Sequence, residues 1–131
     1  MSYDVFIMKF VGDYAAMADV PDDEKTVPLG SVSDVRAAVD REFTTTKWNA
    51  DGWGVWEDDF GSIEFHISDE VHGLTLHIRA SDDVMPGVVA LCRDNSWHGL
   101  DGGDAFVESR EYPASGLVKW QAYRDAVLKK F

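Results

Sequence analysis

Two stretches in the middle of the chain alternate apolar and polar residues. In Ser62 to Ser68, Ile63, Phe65 and Ile67 alternate with Glu64 and His66; in Leu74 to Arg79, Leu74, Leu76 and Ile78 alternate with Thr75, His77 and Arg79. A period of two puts every apolar residue of a stretch on one side, so both predict strands with one dry face and one polar face. Setting the apolar triplets opposite one another in an antiparallel hairpin pairs Phe65 with Leu76, Glu64 with His77 and His66 with Thr75, and leaves Asp69 to His72 as the loop. The rest of the chain is expected to build onto this segment, Asp51 to Arg79.

The flanking patterns supply the other elements. Tyr3 to Val11 is almost continuously apolar, which predicts a central strand with both faces covered. Gly12 to Leu29 holds two prolines and the cluster Asp22, Asp23, Glu24, and reads as an exposed loop with one helical turn in its AAMA segment. Ser31 with Asp34 three residues on forms an approximate capping box, and Val32, Val35, Val39 and Phe43 share a helical face that ends before Thr44, Thr45 and Thr46. A strand around Trp53 to Glu57 leads through a turn of Asp58, Asp59, Phe60 and Gly61 into the hairpin. After Arg79, Val84, Val88, Leu91 and Cys92 mark a second helix with Pro86 in its first turn. Short strands are expected at Trp97 to Asp101 and Ala105 to Glu108. Leu117, Trp120, Tyr123, Val127 and Phe131 form the stripe of a last helix, whose Lys129 and Lys130 suit the negative end of its dipole. The order β-α-β-β-β-α-β-β-α predicts an α+β fold over residues 1–131, one domain with a mainly antiparallel sheet and helices packed on one face.

Composition narrows the class. With 45% hydrophobic and 27% charged residues the chain is an ordinary globular one, and 131 residues suffice for one core without covalent staples. At least three of the five tryptophans are expected to be mostly buried. The single cysteine excludes an internal disulfide and any multi-thiolate zinc site. Cys92 falls on an apolar stripe and reads as a buried structural thiol. The first ten residues lack a basic region and carry Asp4 and Lys9 within the apolar run, so they do not predict a signal peptide; with no long apolar segment, a cytoplasmic location is expected. The formal charge of -12 repels nucleic acid and anionic membrane and favours a basic partner through long-range steering.

Three constellations could carry chemistry. The predicted register gathers Glu64, His66 and His77 on the polar face, a donor set suited to a divalent metal or to an acid–base pair. Trp48, Trp53, Trp56 and Trp97 with Phe60 and Tyr14 could form an aromatic patch beside acidic loops, as at a protein interface. The acidic turns, Asp22, Asp23 and Glu24, Asp58 and Asp59, Asp69 and Glu70, are the expected contacts for a cationic partner. The sequence has no nucleophile elbow, no phosphate loop, no dinucleotide fingerprint and no zinc-protease motif, so it predicts no cofactor.

The run SIEFHI, LHIRA, VVALCRDNSWHGLDGGDAF and WQAYRD resembles a group of small, mostly uncharacterised bacterial α+β proteins that share a SIEFN-like strand, an LHVRG-like strand, an LC-x-x-x-G-W-x-x-x-D segment and a W-x-x-F-Q-x-Y-R-D-like terminal helix. The likeness covers roughly Trp53 to Lys130 and is carried by structural rather than catalytic residues. Here His66 stands where that pattern often has a polar amide, and Ser96 replaces the glycine before Trp97. A looser likeness is to immunity proteins of polymorphic toxin systems, which implies a non-enzymatic acidic domain that binds a basic toxin nuclease. The competing expectations are a small enzyme or metal-binding protein using Glu64, His66 and His77, and a homodimer joined through the open sheet face.

Overall fold

The computed structural model describes residues 2–59 and 61–129. Its centre is the predicted hairpin, with Phe65 opposite Leu76, Glu64 opposite His77 and His66 opposite Thr75. Six strands form one antiparallel sheet: β1 (Tyr3–Met8), β2 (Lys47–Trp48), β3 (Trp53–Asp58), β4 (Gly61–Ile67), β5 (Leu74–Ala80) and β6 (His98–Leu100), in the spatial order β2-β3-β4-β5-β1-β6. Three helices, α1 (Val32–Glu42), α2 (Met85–Asp94) and α3 (Ser115–Leu128), complete the α+β fold.

Alternation decides which face is dry. Tyr3, Val5 and Ile7 of β1, Ile63, Phe65 and Ile67 of β4, and Leu74, Leu76 and Ile78 of β5 are all buried against Val35, Ala38 and Val39 of α1, Val88, Leu91 and Cys92 of α2, and Leu117 of α3. Each such side chain contributes about 1.5–3 kcal/mol by leaving water, which outweighs any single polar contact on the surface. Burial pushes the Cys92 thiol well above its ordinary range, with the nearby Glu108 carboxylate adding to it, so this cysteine is the structural one its stripe predicts.

The elements begin and end where local chemistry dictates. The Ser31 hydroxyl accepts from the Asp34 N–H while the Asp34 carboxylate accepts from the Ser31 N–H, each at 3.1 Å, a complete capping box. At the end of α2, the Ser96 N–H reaches the Arg93 carbonyl and the Trp97 N–H reaches the Cys92 carbonyl, which closes the helix with Ser96 in the left-handed region at φ 57°. Ser96 is exposed, so Ser96→Gly removes strain and little else. It should raise stability by about 1 kcal/mol, read as a rise of roughly 4 °C in the thermal midpoint.

Several expectations are corrected. β1 stops at Met8, Val11 is 85% exposed, and Phe6 is 49% exposed because the helices cover only one face of the sheet. Ala105 to Glu108 is not a strand: Ala105 makes an isolated bridge to Ala16, and Val107–Ser109 is a 3₁₀ turn. The strand at Lys47–Trp48 has no counterpart in the predicted order, since two residues carry no periodicity. On α1, Val32 is exposed and Ala38 takes its place in the core. In α3 only Leu117 is buried, Trp120 and Val127 are partly covered and Tyr123 is 62% exposed, so the stripe meets the core at one end. The AAMA turn appears as a 3₁₀ turn at Met17–Asp19. Phe60, Lys130 and Phe131, expected in the turn before the hairpin and at the end of the last helix, lie outside the described residues. No helix among the described residues is long and apolar enough to cross a membrane.

Candidate functional site

The face of the sheet opposite the helices is largely uncovered. Pairing brings Trp53 beside His66, Val55 beside Glu64, Glu64 beside His77 and His77 beside Asp4. The Trp53 indole stacks on the His66 imidazole with centroids 4.2 Å apart and lies 6.1 Å from His77 at 19°. His77 Nδ1 sits 2.9 Å from Asp4 Oδ1, and Arg79 donates to Glu64 at 3.0 Å. A pair as exposed as Arg79 and Glu64 contributes under about 1 kcal/mol to stability. It nonetheless fixes the carboxylate in place.

Glu64, His66 and His77 do share this face, as the register requires, but each has a different neighbour. Glu64 turns to Arg79, His77 to Asp4, and His66 lies flat against Trp53. Among the described residues no three His, Cys, Asp or Glu side chains gather as metal ligands. The aromatic patch is also dispersed. Trp53 and Trp56 stand three residues apart on one strand and so on opposite faces. Trp56 and Trp48 pack on Phe43 and Phe65 beneath the sheet, at 5.2 and 6.1 Å, and Trp97 is buried in the core. Tyr14 packs edge-on to Phe10, 6.0 Å away, in a second cluster.

That second cluster was not legible in the sequence. Phe10, Val20 and Phe106, with Met8, Tyr14 and Leu100, form a small core where the 12–29 loop folds over the β6 end of the sheet. His98 is buried within it, stacked on Phe106 at 4.6 Å, with Nδ1 2.8 Å from Glu108 Oε1. The other Glu108 oxygen accepts from the Gly99 N–H at 3.1 Å, so both oxygens of the buried carboxylate are satisfied. Sequence gave no signal for this pair, because ten residues and a turn separate its members. A buried carboxylate held by an imidazole and a backbone donor ties the turn to β6, a structural role.

A second buried network joins β1, the segment after β6, and Arg110. The Arg110 guanidinium grips Asp101 with two hydrogen bonds, 2.8 and 2.5 Å, Tyr3 donates its hydroxyl to the same carboxylate at 2.5 Å, and the Gly103 N–H adds a fourth donor at 3.0 Å. Burial by itself raises the Asp101 carboxyl, but these donors outweigh it and hold the group down to about 2. Burial and then the Asp101 carboxylate push the Tyr3 phenol above its ordinary range, and the hydrogen bond to Asp101 raises Arg110 further. Gly116, in the first turn of α3, lies directly against this carboxylate.

The acidic turns lie at both ends of the sheet. Asp58 and Asp59 close the β3–β4 turn and are exposed. Asp69 and Glu70 sit at the other end, in the hairpin loop, which is tied to the 12–29 loop through Leu29 N–H to the Val71 carbonyl at 2.8 Å and Thr26 to His72 at 3.2 Å. Asp22 and Asp23 are exposed on that loop, whereas Glu24 turns inward. Its carboxylate accepts from the Tyr14 hydroxyl and the Gly12 N–H, which lower its pKa in that order.

Comparison with protein-family models finds none that matches this chain, and comparison with curated proteins and with solved structures likewise finds no match.

Proposed function

We propose that this chain is a non-enzymatic protein-binding domain that holds a basic partner, in the manner of an immunity protein bound to a toxin nuclease. One observation carries the reading. The chain has 24 acidic against 12 basic residues, and its two most buried carboxylates, Asp101 and Glu108, are each held by internal hydrogen-bond donors, so most of the acidic excess lies on the surface. Such a field draws in a cationic protein and repels polyanions. The open face supplies Trp53 and Val55 as contact area, and the rim supplies Asp22, Asp23, Asp58, Asp59, Asp69 and Glu70. The pairing of Glu64 with Arg79 and the stacking of His66 on Trp53 count against the alternative in which Glu64, His66 and His77 act together as metal ligands or as acid and base.

The test is capture from a lysate of the source cells at low ionic strength, followed by affinity measurement on the purified pair. The expected partner is basic, and its affinity falls by roughly ten-fold or more as salt rises and the screening length drops from about 30 to about 8 Å. A partner whose affinity ignores salt, or an acidic partner, would sink the proposal.

A further inference from the structure

The ring of His98 is almost fully enclosed, yet only one of its nitrogens has a partner. The ring stacks on Phe106 at 4.6 Å and lies 6.0 Å from Phe10 and 6.4 Å from Tyr14. Nδ1 is 2.8 Å from Glu108 Oε1, while Nε2 is buried and, among the described residues, has no hydrogen-bond partner. Asp13 Oδ1, at the start of the 12–29 loop, lies 4.0 Å from Nε2. The Asp13 side chain is 86% exposed, so it can turn toward the ring or into water without disturbing the packing. The other titratable and charged groups around the ring have partners of their own. The second Glu108 oxygen accepts from the Gly99 N–H at 3.1 Å. From α2, Arg93 donates to the Glu108 backbone carbonyl at 2.8 and 3.2 Å, and Cys92 keeps its proton. From the loop, Tyr14 donates to Glu24, and the β1 residue paired with His98 is the uncharged Met8.

Glu108 needs a donor on its first oxygen, so Nδ1 carries an N–H toward it and a second proton on the ring has only Nε2 to occupy. In the neutral ring Nε2 is a buried lone pair; two acceptors facing one another repel, which keeps Asp13 turned to water. In the doubly protonated ring Nε2 is a donor, and an approach of about 1 Å closes a charge-assisted hydrogen bond to Asp13. We infer that His98 and Asp13 form a proton-operated catch on this corner of the loop. Gain of the second proton draws Asp13 onto the ring and tightens Phe10 to Tyr14 against β6; its loss frees the corner. Tyr14 moves with the corner, and Tyr14 together with the Gly12 N–H is what turns Glu24 inward. The catch therefore also sets how the neighbouring Asp22 and Asp23 are presented. That consequence rests on the basic-partner reading above; the catch itself does not, and it is tested on the chain alone.

The test is a pH series on the full isotope-labelled chain, from about pH 5 to about pH 8.5, across the range where imidazoles ordinarily titrate. Ring nitrogen shifts report His98, with His66, His72 and His77 as references. Amide hydrogen exchange, corrected for its intrinsic pH dependence, reports the corner. As His98 gains its second proton the change is expected at Nε2 and not at Nδ1, and the Gly12 to Tyr14 amides should gain at least about three-fold in protection. Asp13→Asn should move the His98 transition down by about half a pH unit, because the charged ring loses its anion, and should abolish the gain in protection. The transitions of the other three histidines should stay in place, and Asp13→Glu should restore both effects. An unchanged thermal midpoint at about pH 8.5 shows that the variants are folded, as expected for so exposed a position. A His98 ring that keeps one state across the series, a transition that Asp13→Asn leaves in place, or protection that does not follow the ring overturns the catch. Each of those results leaves the basic-partner reading standing.

Discussion

Gly61→Ala is expected to cost about 4 kcal/mol, a fall of roughly 15 °C in the thermal midpoint, although it adds a single methyl group. Gly61 opens β4 opposite Asp58 on one side and Ala80 on the other, at φ +129°, a backbone region that residues with a Cβ rarely adopt. The added Cβ would fall on the Arg79 carbonyl oxygen and within 2.6 Å of the Ala80 Cα. Both are backbone atoms of β5, so no rotamer change relieves the overlap; β4 must lift from β5 where the hairpin begins. Gly102→Ala separates the two causes. Gly102 also has positive φ, but a Cβ there meets nothing within 4 Å, so only the conformational cost of about 1–2 kcal/mol remains. Urea unfolding of the two variants measures the difference, and equal losses would show that the contact with β5 is not what matters.

Arg110→Ala has the second large effect, about 3–5 kcal/mol, because it leaves Asp101 buried without its cation. The Asp101 side chain is 4% exposed with the guanidinium in place, so its removal leaves a carboxylate that only water entering from the adjoining cleft can partly solvate. The same network sets an acid limit. The folded-state pKa of Asp101 is about 2, below the unfolded value near 4, so its contribution is fully present above about pH 4 and is lost as pH falls toward 2. After allowance for solvent screening at the edge of the network, it amounts to roughly 1–2 kcal/mol. A pH series of urea midpoints should therefore decline between about pH 4 and 2 in the parent protein, and Asp101→Asn should flatten that part of the decline. A parallel decline in both would remove Asp101 as its source.

The hairpin could be read from the sequence down to individual pairs because setting the two apolar triplets directly opposite one another pairs all six on one face, and a slip by one would turn one strand's three to the open side. Helix α1 was legible for similar reasons, its capping box and apolar stripe agreeing on the start, and α2 through its apolar stripe and the proline in its first turn. The misreadings occur where a residue's fate depends on something distant. Phe6 looks like a core residue until only one face of β1 is covered. Ala105 to Glu108 has a strand's composition, and its Phe106 and Val107 do point into different clusters, but no full strand lies beside it to pair with. The wet-face trio Glu64, His66 and His77 was placed correctly on one surface. Its neighbours are Arg79, Asp4 and Trp53, of which Asp4 lies on a strand far away in the sequence. The Asp101–Arg110–Tyr3 and His98–Glu108 networks had no sequence signature, because polar burial is a property of the assembled fold.

The buried thiol gives the molecule a clock of its own. Cys92 is the only sulfhydryl in the chain, is fully enclosed between α2 and the sheet, and is held in its unreactive protonated form by its surroundings. A thiol reagent in solution can reach it only during openings that part the helices from β1, β4 and β5, so its rate of labelling counts those openings. Ordinary exposure to oxidant leaves such a residue untouched, and chemical damage here follows unfolding instead of causing it.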